Sequence, residues 1–275
     1  MLHVSIKPET VFYLQGFPIT NSLLTSFIVL ILTLLLGIYF RQNINSTNSK
    51  LVTFIKFAMT SLHSMFETML GSLHEKAFPL LASFFFFILF SNWFGLLPGV
   101  GSITITPPAH EVVAEESHKE VVELKATHTE GSQVEKKEEE HGKIPLLRGS
   151  TADLNTTIGL ALVAFVMIQF YGFTQLGFVG YSKKFINLTN PINFFIGILE
   201  LVSEFSKILS FAFRLFGNIF AGEVLLGVIA FLVPILASFP FLIMEVFVGL
   251  VQALVFSMLT GVFISSAVAS HDEHH

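Results

Sequence analysis

Residues 192–233 stay apolar for about 42 residues, which as one α-helix would run roughly 63 Å. A hydrocarbon core about 30 Å thick cannot hold such a helix upright. The segment must tilt strongly, or start on the membrane surface and dip in. Its interruptions are few and nearly all charged: Glu200, Glu204, Lys207, Arg214 and Glu223, with the polar Ser210 and Asn218 among them. Arg214 is the most demanding of these. A guanidinium stays charged at any physiological pH, and placing it at bilayer depth costs at least about 2.5 kcal/mol. Apolar residues flank it for several turns on both sides, so its stem does not reach a headgroup by snorkelling. A fixed intramembrane cation of this kind marks a functional site. Ser210 and Asn218 lie one helical turn before and after it, on the same face. Glu200, fourteen residues earlier, falls on that face too, whereas Glu223, nine residues later, falls roughly opposite.

The rest of the chain agrees with a membrane setting. Charged residues make up 13% and hydrophobic residues 52%, with 32 Phe, against roughly 25% charged residues in soluble domains. Apolar runs at 22–40, 77–97 and 157–179 are each long enough to span. A second overlong segment, 234–269, follows the first and pairs with it. The expected fold is an all-α integral membrane protein with five membrane helices, the last two long, tilted and joined as a hairpin. Residues 47–74 alternate apolar and polar side chains at helical spacing, which predicts an amphipathic helix on the membrane surface. Asn21 or Ser22 is the expected cap of the first span. Basic residues at Arg41, Lys50, Lys56, Lys183 and Lys184 set the cytoplasmic side. The N-terminus is then outside and the C-terminus inside. The first twenty residues do not read as a cleaved signal or transit peptide.

Four regions follow: an outer segment 1–21, two spans with the surface helix at 22–98, a loop at 99–149, and the last helices at 150–275. The loop carries ten of the chain's 20 acidic residues, all glutamates between 109 and 143, with five lysines and four histidines. It cannot bury a core and is expected to be solvated and largely without fixed structure. Its histidines are unevenly spaced, which does not favour a metal site. The chain has no cysteine, so thiolate sites and disulfides are excluded. Nothing favours nucleic acid as a partner, and no cofactor-binding motif is present.

The run Phe213-Arg214-Leu215-Phe216-Gly217-Asn218, followed by Ala221-Gly222-Glu223, resembles the pattern around the essential arginine of subunit a of the F-type (FoF1) ATP synthase, in its bacterial form. Asp153 and Asn155, two residues apart at the start of a span, resemble a second motif of that family. The resemblance covers most of the chain outside the loop. It implies a stator subunit of the Fo motor that faces a ring of c subunits, with a b-subunit peripheral stalk and the rest of the synthase as further partners beside membrane lipid. It implies no ATP chemistry in this chain. Two proton half-channels are implied, with Arg214 between them: Asn92, Asp153, Asn155, Glu223 and Glu245 on the outer side, Glu200, Glu204 and Ser210 toward the inner side. Gln252, seven residues after Glu245 and on its face, is expected to hydrogen-bond Arg214. Many family members carry an aspartate where this chain has Gly95, and often a histidine at one of the positions of Glu223 and Glu245. Asp153 also reads simply as a helix cap. A bacterial plasma membrane is the expected location, with the mitochondrial inner membrane as alternative. Two other readings remain at this level: a secondary transporter whose arginine binds an anion, for which no internal repeat is found, and a structural scaffold that has no need of Arg214.

Overall fold

The computed structural model describes residues 8–45, 49–97, 100, 103–105, 144–185, 191–233 and 238–268. The expectations for most of the acidic loop and for the C-terminal tail lie outside the described residues. Among the described residues five helices are long and apolar enough to cross a membrane, and the all-α membrane architecture expected from the sequence is what they form. Helix α1 is Asn21–Gln42. Its cap is Thr20, whose hydroxyl accepts from the Leu23 N–H at 3.2 Å, one position before the expected Asn21 or Ser22. Asn21 instead accepts from the Ser22 N–H at 2.9 Å.

Ahead of α1, strands β1 (Thr10–Leu14) and β2 (Phe17–Thr20) pair antiparallel. The sequence reading expected no strand here. Gln15 and Gly16 both take positive φ, 51° and 84°, the two left-handed positions that a two-residue hairpin turn requires.

Helix α2, Lys50–Leu70, is capped by Ser49 and buries Val52, Ile55, Leu62, Phe66 and Leu70. These fall on one stripe, as the amphipathic pattern predicts. A short turn at Gly71–Leu73 leads into α3, His74–Gly95. Phe66 of α2 meets Phe78 of α3 edge-on, with centroids 6.2 Å apart. The two-residue strands β3 (Thr104–Ile105) and β4 (Ile144–Pro145) close the base of the acidic loop.

Helix α4 is Leu154–Phe185, broken at Gly177 (φ 71°, ψ 162°). It begins three residues earlier than the expected 157. Helix α5, Pro191–Leu232, is 42 residues long, and α6 is Ser238–Val268. Helix α5 packs against both α4 and α6, and α6 also packs against α3. The join is aromatic: Phe256 of α6 lies 5.4 Å from Phe84 of α3 and 4.8 Å from Phe211 of α5, centroid to centroid.

Gly197 of α5 touches the backbone carbonyl of Phe185, and any Cβ there would overlap it. Backbone cannot swing aside as a side chain can. Gly197→Ala therefore has an overpacking cost of about 1–3 kcal/mol, more than the ~1 kcal/mol that alanine gains in helix propensity. The expected result is a lower Tm of the purified protein in detergent, read by thermal unfolding; an unchanged or higher Tm would contradict the contact.

Candidate functional site

Helix α5 buries Gly197, Glu204, Ile208, Phe211, Ala212, Leu215 and Gly222. These recur at helical spacing and form one stripe against α4 and α6. The other face is exposed and mostly apolar, with Leu199, Val202, Phe205, Leu209 and Phe213 on it. Ser210, Arg214 and Asn218 stand in that face, in the row expected from their spacing. An Arg214 guanidinium N–H donates to Ser210 Oγ at 3.4 Å. Asn218 Nδ2 donates to Gln252 Oε1 of α6 at 2.7 Å. The expected Gln252–Arg214 bond is thus replaced by one to Asn218, a turn further on. Gln252 is buried in the α5–α6 seam, which Asn218 reaches, while Arg214 leans back toward Ser210.

A polar network gathers at the end of the bundle where α1 and α4 begin. Asn92 of α3 is buried, donates to the Gly249 carbonyl of α6 at 3.1 Å and accepts from Thr151 Oγ1 at 2.7 Å. Asp153 caps α4, accepting from the Asn155 N–H at 3.0 Å. Burial pushes its carboxyl above the usual range, opposed by that N–H, by the charge of Arg148 and by a hydrogen bond with Thr156. Asn155 itself is exposed and stands apart from the network. Glu223 pairs with Arg148, Oε2 to Nη2 at 3.3 Å. Glu245 of α6 is 5% exposed, and its carboxyl fills the space over Gly222, where any Cβ would overlap it. This contact explains the glycine before Glu223: it is the notch that admits the acid of the neighbouring helix.

A second network lies toward the other end. Glu204 is 2% exposed. It accepts from Lys207 Nζ at 2.5 Å and from Gln169 Nε2 of α4 at 3.0 Å, and Gln169 in turn accepts from Tyr181 OH at 2.6 Å. Lys207 also sits over the Phe263 ring of α6, 4.9 Å from its centre. Glu200 is half-buried one turn before Glu204. The two networks do not meet among the described residues. Glu204 and Glu223 are nineteen residues apart on α5, about 28 Å, and Arg214 lies between them.

The sequence reading missed Arg148, Thr151, Gln169 and Tyr181. Arg148 stood at the edge of a charged loop, where a solvated cation is the ordinary case. No group of three His, Asp or Glu side chains suited to a metal exists among the described residues.

The family described as ATP synthase A chain matches residues 23–265. ATP synthase subunit a of Gloeobacter violaceus is 31% identical over 256 residues, 93% of this chain and 86% of that protein. The chloroplastic subunit a of Stigeoclonium helveticum is 29% identical over 270 residues, 98% of this chain and 93% of that protein. Subunit a of Desulforamulus reducens is 40% identical over 142 residues, 49% of this chain and 53% of that protein. The family match runs from the first turn of α1 almost to the end of α6, through Arg214 and both polar networks, and the chain belongs to the ATP synthase A chain family.

Proposed function

We propose that the chain is the proton-translocating stator of the Fo motor in a bacterial plasma membrane, with its N-terminus outside. It would face a ring of c subunits, be held by a b-subunit peripheral stalk, and work with the rest of the synthase. The observation that carries this reading is the position of Arg214: midway along α5, on an exposed apolar face, between two polar networks that do not join among the described residues.

The chemistry follows from desolvation. A carboxyl on the ring can face lipid when protonated and not when charged. Arg214 favours the ionised form as a site passes the stator. Each site then gives its proton to the path through Glu204, Glu200 and Ser210, and reloads from Asn92, Asp153, Glu223 and Glu245. The permanent charge of Arg214 also repels a hydronium moving straight across. Several polar atoms in the reloading path, Ser22 Oγ, Ser91 Oγ and Ser150 Oγ, are buried without a protein partner, and buried hydroxyls of this kind take water. Asn218 and Gln252 lock α5 to α6 one turn from the arginine and fix its height.

Arg214→Ala in the assembled synthase should reduce ATP-driven acidification of inverted vesicles by on the order of 100-fold, the usual loss when a fixed charge-stabilising group is removed. Copurification of the other subunits checks assembly, and an assembled variant that pumps normally would overturn the stator reading. Gly222→Val puts a side chain where the Glu245 carboxyl lies. Pumping should fall by about tenfold to a hundredfold through misplacement of that acid, measured as the initial rate of fluorescence quenching in the same vesicles.

A further inference from the structure

We infer that Arg148 is a positioning residue that holds Glu223 as a fixed carboxylate, leaving Glu245 as the acid that exchanges protons with the ring. This rests on the stator reading above and divides the labour within it.

Arg148 is 7% exposed. A guanidinium cannot shed its proton, and a buried cation without a counter-ion is strongly unfavourable. The Glu223 carboxylate makes the direct ion pair, at 3.3 Å, and the charge of Arg148 also acts on the buried Asp153. Glu223 is therefore the side chain that Arg148 holds in position. The place of Arg148 is built in advance. The Arg148 N–H donates to Thr25 Oγ1 at 3.4 Å, and Thr25 donates to the Asn21 carbonyl at 3.0 Å. The next residue, Gly149, lies so near Gly95 that a Cβ on Gly95 would come within 3.1 Å of its Cα. An aspartate at Gly95 would press on this segment, so the two glycines draw the backbone of Arg148 down onto the end of the bundle.

Glu245 is in the opposite situation. It is buried beside Gly222, and among the described residues it makes no ion pair or hydrogen bond. A carboxyl with no cation bound to it is free to take up a proton and hand it on. Glu245 meets α5 at Gly222, the residue before Glu223 in the sequence.

The test compares Glu223→Gln, Glu245→Gln, Arg148→Lys and Arg148→Met in the whole synthase, with assembly checked by copurification and pumping measured in inverted vesicles. Glu245→Gln should lower pumping on the order of 100-fold or more, the loss of a proton-transfer group. Glu223→Gln and Arg148→Met should each cost about tenfold, the loss of one charged hydrogen bond. The double variant should be no worse than either single one, because the pair acts as a unit. Arg148→Lys should retain most of the rate. A merely structural arginine would be replaced as well by methionine as by lysine. Glu223→Gln as inactive as Glu245→Gln, or Arg148→Met pumping at the wild-type rate, would overturn the assignment. If Arg148→Met does not assemble, the comparison of the two glutamate variants decides. Arg214→Ala separates the two levels: if it still fails to pump, the stator reading survives a failure of this one.

Discussion

A permanent positive charge in the middle of an apolar helix is the constraint on which the rest of this structure depends. Such a charge cannot face lipid, so the helix must keep its side clear for a polar partner or a water-filled cleft. Helix α5 does so by burying one narrow stripe, Glu204, Ile208, Phe211, Leu215 and Gly222 among it, and leaving the Arg214 face free. The length of α5 follows from the same demand. Forty-two residues give room for a polar network on each side of the arginine at separations no upright helix of about 20 residues would allow. Helices α4 and α6 cover the buried stripe and complete both networks from the far side.

Close approach of backbones is the second theme. In a membrane, helices gain little from hydrophobic association and pack through small residues and hydrogen bonds instead. Here three glycine contacts carry a polar or bulky neighbour into place. Gly222 admits the Glu245 carboxyl, Gly249 receives Asn92, and Gly261 accepts Met69 of α2. A glycine at these positions is a statement about the residue opposite, which is why substitution would be felt as a shift of that residue first.

Much of the fold was legible in the sequence because its periodicities are strong. The spans, the amphipathic α2 and the overlong α5 follow from runs of Leu, Ile, Val and Phe that no loop would contain. Arg214, Ser210 and Asn218 were placed on one face by spacing alone, and the structure has them so. Contacts between elements were not legible. Gln252 was assigned to Arg214 because both are polar and central, yet register between α5 and α6 gives it Asn218. The hairpin Thr10–Thr20 was missed because Gln15 is an uncommon residue at positive φ. Arg148 was passed over since local sequence cannot tell a solvated cation from one drawn under the bundle by the contact of its neighbour Gly149 with Gly95, some fifty residues earlier.

The two networks differ in a way that bears on direction of proton flow. Glu204 is bonded to Lys207 and Gln169 and, through Gln169, to Tyr181. Gln169 is an amide and relays no proton, so this chain holds the Glu204 carboxyl in place, bonded at both oxygens. The network at the other end is divided. Arg148 and Glu223 form a closed ion pair, and Glu245 lies beside it without one. On the proposed stator reading, uptake belongs to the end where the buried Glu245 has no cation of its own, and release to the end where Lys207 holds Glu204. On this account the asymmetry between uptake and release is a property of the stator itself, set by which carboxyl has a cation of its own.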